Sequence, residues 1–245
     1  MQPAVLPSPT VPQSSPKRRA YARGWVKGVV GLALVLAALA AWYASQTRVL
    51  EVSSAAQWRD SGIAAQWAQG NVVLLIRHAE RCDRSEHTCL ADPEGITVPG
   101  SQRAIDVGRG LALLPQDGAE RLSSPEVRTR QTAQFIFGQP LATQDWVGDC
   151  DKDFAQTALD YKQAGRNLVL VTHSGCIDQL ERRLHVPGGE RSSAYASALF
   201  VAVPEAGRAR LLGQVRSSNW RHLLARESYR AVGYVRAPMR GQDLP

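Results

Sequence analysis

Cysteine is scarce in the sequence, which contains only Cys82, Cys89, Cys150 and Cys176 among its 245 residues. Their spacings are not those of a zinc finger or a zinc ribbon, so the common structural zinc sites are excluded. The histidines outside the motifs described below also show no spacing that joins them into a metal site; they are His87, His185 and His222. We therefore expect neither a metal centre nor a cofactor.

The same cysteines can instead form disulfides, which persist in oxidising compartments and are rare in the cytosol. Four cysteines allow three pairings, and the sequence alone does not choose among them. Local spacing favours Cys82–Cys89, because both lie in one short polar loop, and this pairing leaves Cys150 with Cys176. The disulfide interpretation indicates that the main part of the chain is exported.

Acidic residues are absent from the first 27 positions, which contain five basic ones: Lys17, Arg18, Arg19, Arg23 and Lys27. These account for five of the seven net positive charges, so the rest of the chain carries a net charge of only +2. The high isoelectric point is therefore no argument for a nucleic-acid partner, and we expect none. Residues 1–16 are rich in Pro, Ser and Gln, and we predict that residues 1–27 form a disordered, basic, cytoplasmic tail.

Charged residues are also absent from positions 28–47, whose centre at 31–41 is continuously apolar. An α-helix of this length would span about 30 Å, the thickness of a bilayer core. Basic residues precede the stretch, and Trp42 and Tyr43 stand where an interfacial aromatic pair belongs. A buried core helix is disfavoured, because no face of the helix is polar. The pattern predicts one transmembrane helix with its amino terminus in the cytoplasm.

A cleaved signal peptide is the alternative interpretation of this helix. Ala38-Leu39-Ala40 fits a cleavage site, but the region before the apolar run is long for a signal peptide. Arg18-Arg19 matches a twin-arginine export signal poorly in its surroundings. We therefore favour a single-pass inner-membrane protein with its folded domain in the periplasm, rather than a soluble periplasmic protein released by cleavage.

The folded domain is predicted at residues 71–216, after a connector at 48–70. Its first strand lies in the stretch 71–81, where five consecutive apolar residues, three of them β-branched, predict a strand buried on both faces. The apolar run stops at Arg77-His78, and ligands bind at the carboxyl ends of strands in open α/β sheets. Arg77, His78 and Arg81 thus form a charge cluster that suits a phosphate.

A second buried strand, at residues 167–172, also ends in a histidine, His173. Strands that alternate with helices imply a largely parallel sheet, so the carboxyl ends of both strands meet at one edge. Between them, a short strand at 121–123 precedes Ser124-Pro125, which opens a helix with Arg128 in its first turn. We therefore expect one pocket formed by Arg77, His78, Arg81, Arg128 and His173.

Capping residues, chain breakers and apolar spacing predict the other elements. These are a short helix at 54–69, a helix from Thr97 to about 114, an edge strand at 141–143, a helix that begins after Asp149 or Asp151 and runs to about 164, a helix at 177–184, and a hairpin of strands at 198–203 and 209–215. Residues 217–245 form a C-terminal extension without an assigned function, in which 220–226 are candidates for a helix.

Four motifs taken together resemble the histidine phosphatase superfamily, which is phosphoglycerate mutase-like. They are Arg-His-Ala-Glu-Arg at 77–81, Gly-x-Gln-x-Ala-x-x-x-Gly at 100–108, Ser-Pro-x-x-Arg-x-x-Gln-Thr-Ala at 124–133, and Thr-His at 172–173. A closer resemblance is to the exported lipopolysaccharide core heptose(II)-phosphate phosphatases. It adds Cys-Asp-Arg at 82–84, Cys-Leu at 89–90, Gly-Ile-Thr-Val at 95–98, and cysteines that correspond to Cys150 and Cys176.

The resemblance implies an α/β fold, a three-layer sandwich with a mainly parallel sheet and helices on both faces. It also implies phosphoryl transfer through a phosphohistidine, without a metal, and a phosphorylated sugar or glycan as substrate, with core heptose phosphate as the leading candidate. His78 would be the nucleophile. The planar guanidinium groups of Arg77 and Arg128 suit bidentate phosphate contacts. His173 would be a further donor and Arg81 an extra clamp.

The general acid is the least defined member of the site. Superfamily enzymes take it from a variable position, and the loop at 145–153 supplies four aspartates, of which Asp149 or Asp153 is favoured. Glu80, next to the nucleophile, is expected to anchor an arginine instead. Without an acid, the chain would be a catalytically weak phosphate- or glycan-binding module of the envelope. A mutase is disfavoured, because nothing marks a bisphosphate primer site.

Overall fold

The computed structural model describes residues 16–223. The chain divides into two compact units, the first ending at Gln46 and the second beginning at Thr47. The described part of the first unit is dominated by one helix, α1 (Pro16–Ala44). Its stretch Lys27–Ala44 is long and apolar enough to cross a membrane, a property that signal sequences share.

Helix α1 begins well before the predicted start at residue 28. Residues 16–27, predicted as part of a disordered tail, are helical in the structure. The physical reason lies in the local sequence: proline is favoured in the first turn of a helix, and the Lys, Arg and Ala residues that follow Pro16 have high helix propensity. Residues 1–15 of the predicted tail lie outside the described residues.

The second unit is built on a six-stranded sheet. Its strands are β1 (Val72–Arg77), β2 (Glu120–Ser123), β3 (Ala142–Thr143), β4 (Leu168–Thr172), β5 (Ala198–Ala202) and β6 (Arg210–Val215). Their order across the sheet is β3-β2-β4-β1-β5-β6. The pairs among β3, β2, β4 and β1 are parallel, whereas β5 and β6 are antiparallel to their neighbours. The predicted mainly parallel sheet is confirmed.

Helices cover both faces of this sheet. They are α2 (Ala55–Asp60), α3 (Ile63–Ala68), α4 (Val98–Leu111), α5 (Val127–Phe137), α6 (Phe154–Tyr161) and α7 (Ser174–Arg183), and residues 217–223 are also helical. Alternate residues of a strand point to opposite faces, so β1 contributes to two cores. Val72, Leu74 and Ile76 pack with α4 and α5, and Val73 and Leu75 with α6 and α7. This is the three-layer sandwich that the resemblance implies.

The register of the central strands brings the predicted segments to one edge. β1 and β4 pair with Arg77 opposite Thr172, so His78 and His173 follow at the same level. β2 pairs with the other side of β4, with Ser123 opposite Val171, so the chain leaves β2 at this edge as well. The carboxyl ends of three neighbouring parallel strands therefore position the candidate site.

Several predicted elements differ from the observed ones in their bounds. The predicted helix at 54–69 is two short helices, because Gly62 between them adopts a left-handed conformation with φ of 72°. Helix α4 has the predicted N-cap, since Thr97 Oγ1 accepts a hydrogen bond from the Gly100 N–H (3.0 Å), but it ends at Leu111. Helix α6 ends at Tyr161 rather than near 164, because Lys162 turns to an extended conformation.

The folded unit extends beyond the predicted limits of 71 and 216. On the amino-terminal side, Val52 and Trp67 are buried, although they fall in the predicted connector. On the carboxyl-terminal side, Trp220 is fully buried, with its ring centre 5.7 Å from that of Trp58 and 6.4 Å from that of Phe200. Apolar side chains of both flanking segments thus complete the core. Residues 224–245 of the predicted extension lie outside the described residues.

Candidate active site

His78 directly follows β1 and is buried, with only 3% of its surface exposed. Its Nδ1 lies 2.8 Å from the carbonyl oxygen of Ala79. A carbonyl oxygen can only accept a hydrogen bond, so Nδ1 carries the proton and Nε2 keeps its lone pair. Burial, together with the nearby charges of His173, Arg128 and Arg77, lowers the pKa of His78 to about 3. At neutral pH the ring is therefore a neutral imidazole, the form that a nucleophile requires.

His173 follows β4 and precedes α7, and its ring centre lies 5.3 Å from that of His78. Its Nε2 lies 3.1 Å from Ser124 Oγ and also contacts Glu126 Oε2. Burial is the main cause that lowers the pKa of His173, and the adjacent Glu126 carboxylate opposes it. His173 thus lies between the candidate nucleophile and the segment that follows β2.

Arg77 is the last residue of β1 and is held from two directions. Its Nη1 donates to the carbonyl oxygen of Ser193 (2.5 Å), and its guanidinium carbon lies 4.1 Å from the centre of the Tyr195 ring. Burial lowers the pKa of Arg77, but an arginine stays protonated at neutral pH. Its Nε–H is buried and has no hydrogen-bond partner among the described residues.

Arg128 lies in the first turn of α5, where the sequence placed it. Its Nε is also buried without a hydrogen-bond partner in the described part of the chain, and its Nη2 lies 3.5 Å from Glu126 Oε2. Leaving a buried donor unpaired costs about 1–3 kcal/mol, and more for a charged group. Arg77 and Arg128 each offer such a donor, and a bound phosphoryl group could satisfy both.

Glu126 is a member of the site that the sequence analysis missed. Its Oε2 accepts a hydrogen bond from Ser124 Oγ (2.8 Å) and contacts both Arg128 and His173. The only available signal was its position two residues before Arg128, at a variable position of the Ser-Pro-x-x-Arg motif. Tyr195, which packs against Arg77, was also missed, because it comes from the loop before β5 and no motif contains it.

Arg81, predicted to be an extra phosphate clamp, pairs with a neighbouring acid in the structure. Its guanidinium group pairs with the Asp83 carboxylate through two contacts, the first a 2.7 Å bond from Nε to Oδ1 and the second between Nη2 and Oδ2. This hydrogen bonding is the main cause that raises the pKa of Arg81. Asp83 thus pairs with the planar fork of Arg81, while the charge of Arg81 also acts on His173. The phosphate-clamp role of Arg81 stays a prediction.

Glu80 does not anchor an arginine in the described structure, contrary to the sequence-based expectation. Its Oε2 accepts hydrogen bonds from Thr97 Oγ1 (2.8 Å) and from His87 Nδ1 (2.9 Å). Burial opposes the ionised form, yet these hydrogen bonds lower the pKa of Glu80 overall. The carboxylate therefore links the segment after His78 to the start of α4.

The two aspartates favoured as the general acid are both exposed. Asp153 precedes α6 and pairs with Lys152 at 3.6 Å. Within residues 16–223, no hydrogen bond or ion pair joins Asp149 or Asp153 to His78 or His173. The structure therefore does not bring either aspartate into contact with the histidines.

Both expected disulfides are present. Cys82–Cys89 closes the loop after Arg81, and Cys150–Cys176 joins the aspartate-bearing loop to the first turn of α7, with Cα atoms 5.3 Å and 4.2 Å apart, respectively. Each bridge thus fixes a loop that flanks one of the two histidines. Among the described residues, no group of three or more His, Cys, Asp and Glu side chains could hold a metal ion.

Comparison with known proteins gives the following relatives. No family model matches the chain. A lipopolysaccharide core heptose(II)-phosphate phosphatase of Salmonella newport (strain SL254) is 37% identical over 129 residues, which are 51% of this chain and 64% of that protein. The chain thus spans slightly less than two thirds of that relative. The protein of the same name from Salmonella typhi is 34% identical over 157 residues, which are 63% of this chain and 75% of that protein.

A solved structure with a similar fold is that of the protein histidine phosphatase SixA complexed with tungstate. The TM-score is 0.50 and the sequence identity 16%, over 60% of this chain and 98% of that chain. At this identity the comparison concerns the fold alone. It supports the α/β fold described above.

Proposed function

Because the chain belongs to the family of lipopolysaccharide core heptose(II)-phosphate phosphatases, we propose that it hydrolyses a phosphomonoester through a phosphohistidine at His78. One observation carries the proposal: a buried, neutral His78 lies beside two arginines whose buried Nε–H groups lack partners within the described residues. This combination supplies a nucleophile and positively charged donors at the same point. Phosphoryl transfer requires both.

The chemistry follows from the state of each side chain. The lone pair of His78 Nε2 attacks the phosphorus atom, and the bond from phosphorus to the leaving oxygen breaks. The donors of Arg77, Arg128 and His173 stabilise the charge that develops on the equatorial oxygens, and they are already in place before the substrate binds. Water then attacks the phosphohistidine, which releases inorganic phosphate and regenerates His78.

The substrate that we propose is a sugar phosphate of the lipopolysaccharide core, with heptose phosphate as the first candidate. The relatives at 34–37% identity, which are lipopolysaccharide core heptose(II)-phosphate phosphatases by name, support this substrate class. The exposure of Glu126 supports a phosphorylated glycan as well, because this side chain is 40% exposed while it contacts Arg128 and His173. A bulky leaving group can therefore remain in solvent while its phosphate binds.

We place the catalytic unit in the periplasm, attached to the inner membrane by α1. The apolar stretch Lys27–Ala44 and the basic residues before it support a helix with a cytoplasmic amino terminus. The two disulfides support an oxidising compartment for the second unit. Signal cleavage would give a soluble periplasmic form with the same site.

The test is a single-turnover experiment on the full chain in detergent, with phosphate-labelled core oligosaccharide, glucose 6-phosphate and a phosphoserine peptide as substrates. Quenching under conditions that preserve phosphohistidine is expected to trap the label on His78 in the wild type and not in His78→Ala. The exposed His222→Ala serves as the matched control and is expected to label normally. Full turnover by His78→Ala would contradict the proposal, and phosphate binding without turnover would favour the binding module.

A further inference from the structure

Glu126 has a position that a surface ion pair does not explain. A single carboxylate oxygen, Oε2, contacts Ser124 Oγ, Arg128 Nη2 and His173 Nε2. Two of these partners, Arg128 and His173, are the groups expected to bind the phosphoryl oxygens. Glu126 thus places a negative charge against the same groups that would bind the negatively charged phosphoryl oxygens.

We infer that Glu126 is the acid–base catalyst of the reaction, a role that rests on the proposed function of the site. The carboxyl group reaches His173, whose ring centre is 5.3 Å from that of the nucleophile His78. Its side chain is 40% exposed, whereas that of His173 is 11% exposed. Glu126 therefore lies between the buried phosphate-binding groups and solvent, which is where the leaving group of a bound phosphomonoester must be.

Substrate binding favours the form of Glu126 that can donate a proton. The phosphoryl oxygens compete with the carboxylate for Arg128 and His173, and a phosphoryl dianion repels a second negative charge at contact distance. Both effects favour the protonated carboxyl group in the complex. Substrate binding thus converts the carboxylate that pairs with Arg128 and His173 into a proton donor beside the leaving oxygen.

Glu126 gives up one proton in the first step of the reaction and regains one in the second. In the first, His78 Nε2 bonds to phosphorus, the electron pair of the broken bond stays on the leaving oxygen, and this oxygen takes the proton of Glu126. In the second, water attacks phosphorus, Glu126 takes a proton from the water, and the electron pair of the phosphorus–nitrogen bond returns to His78. The products are the alcohol and monohydrogen phosphate, and Glu126 is protonated again.

The two aspartates of the neighbouring loop are less well placed for this role. Asp149 and Asp153 are exposed, and in the described part of the chain neither makes a hydrogen bond or an ion pair with His78 or His173. Glu126, in contrast to these two aspartates, contacts His173 directly. Asp149 and Asp153 therefore serve as the comparison variants in the test.

The test compares Glu126→Gln with the wild-type full chain in detergent on two substrates, β-glycerophosphate and 4-nitrophenyl phosphate. An alkoxide needs a proton to leave and a nitrophenolate does not. For β-glycerophosphate, we therefore expect kcat/KM to fall by about 10²–10⁴-fold, the range of general acid catalysis. The fall for 4-nitrophenyl phosphate is expected to be at least tenfold smaller. Glu205→Gln, an exposed glutamate in the β5–β6 turn, is the matched control.

A second measurement separates acid–base catalysis from a purely structural role. Without a base to activate water, the phosphohistidine of Glu126→Gln persists, so 4-nitrophenyl phosphate is expected to give a burst of nitrophenolate equal to the enzyme concentration. A variant that merely misplaces His173 or Arg128 would slow the first step and show no burst. We expect a bell-shaped pH–rate profile for the wild type on β-glycerophosphate, and the variant is expected to lose one limb of it.

The outcomes that would overturn the inference are distinct. An active wild type whose Glu126→Gln variant loses equal activity on both substrates, or loses none, would remove the acid–base role from Glu126. A leaving-group-dependent loss in Asp149→Asn or Asp153→Asn instead would move that role to the aspartate. A wild type that hydrolyses neither substrate nor core heptose phosphate would contradict the proposed function, and this inference would fall with it.

Discussion

His78 and His173 follow two neighbouring parallel strands, and their ring centres lie 5.3 Å apart. The pairing of Arg77 with Thr172 sets this distance, because each histidine directly follows a paired residue. A shift of one residue in a strand register moves every side chain to the opposite face of the sheet. The juxtaposition of the two rings is thus a direct consequence of how the buried apolar runs of β1 and β4 align.

Arg128 is predicted to contribute more than charge to phosphate binding. We expect Arg128→Ala to lower kcat/KM by about 10²–10³-fold, the effect of removing one preorganised donor from a transition state. Arg128→Lys is expected to recover only part of the loss, because an ammonium group lacks the planar fork. The exposed Arg130→Ala, two residues further along the same helix, is the matched control, and steady-state kinetics on 4-nitrophenyl phosphate measure all three. Equal activity of the Lys variant and the wild type would contradict the bidentate contact.

The burial of His78 predicts a loss of stability in acid. Its pKa is about 3 in the folded protein, against an ordinary value of 6.5. Below pH 6.5 the unfolded chain therefore binds a proton that the folded protein does not, so the free energy of unfolding falls as the pH drops toward 3. From pH 7 to pH 5 the expected contribution is about 2 kcal/mol. His173 acts in the same direction, because burial lowers its pKa as well.

Urea unfolding of the full chain at both pH values measures this effect. His78→Gln is expected to lose less stability between pH 7 and pH 5 than the wild type, because glutamine does not titrate. The exposed His222→Gln is expected to follow the wild type. The same pH dependence in His78→Gln and the wild type would show that His78 does not carry the effect.

Local sequence patterns were sufficient to predict the positions of the residues that directly follow the buried strands. The apolar runs of β1 and β4 are visible without a partner, and they end at His78 and His173. Tyr195 could not be predicted in this way. It reaches Arg77 because β5 pairs antiparallel with β1, with Ala198 opposite Ile76, and no local pattern indicates that pairing.

Charged side chains were harder to place, because their partners depend on short distances in space. Arg81 pairs with Asp83, two residues away, although the cluster around His78 suggested a phosphate. Glu126, in contrast, was not predicted as a site residue. Its contact with His173 arises only when β2 and β4 lie side by side, and it also contacts Ser124. The sequence therefore predicted which residues the sheet brings to one edge better than it predicted which charged groups pair there.

The Cys150–Cys176 bridge is predicted to stabilise the fold more than Cys82–Cys89. A disulfide acts mainly by restricting the unfolded chain, and the two bridges join residues 26 and 7 positions apart. Replacing both cysteines of the longer bridge by alanine is expected to cost about 3 kcal/mol, and the shorter bridge is expected to cost less. Urea unfolding of the two double variants gives the comparison. A larger loss from the shorter bridge would contradict the loop-length argument.

Tyr195 is predicted to orient Arg77 through its ring rather than through its hydroxyl group. The guanidinium carbon lies 4.1 Å from the ring centre, within the range of a cation–π contact. Tyr195→Phe is expected to keep near-wild-type kinetics. Tyr195→Ala is expected to raise KM about 3- to 30-fold, since such a contact contributes about 0.5–2 kcal/mol. An equal effect of both substitutions on KM for 4-nitrophenyl phosphate would show that the hydroxyl group matters instead.

Trp220 is predicted to be essential for the stability of the folded unit, although it lies beyond the motifs of the family. Its ring is fully buried against Trp58 and Phe200, and a Cβ atom added to Gly110 would approach it to 2.0 Å. Helix α4 thus packs directly on the indole ring. Trp220→Ala is expected to lower the free energy of unfolding by about 3–5 kcal/mol, the usual effect of truncating a buried tryptophan.

Gly110→Ala provides an independent test of the same contact. In a free helix this substitution is stabilising by about 1 kcal/mol, because alanine has the higher helix propensity. Here it is expected to destabilise the protein, since the added methyl group would lie 2.0 Å from the nearest atom of the buried Trp220 ring. Leu113→Ala, at a 40% exposed position just after α4, is the control and is expected to change stability little. Urea unfolding measures all three variants, and a stabilising Gly110→Ala would show that Trp220 does not pack on α4 in solution.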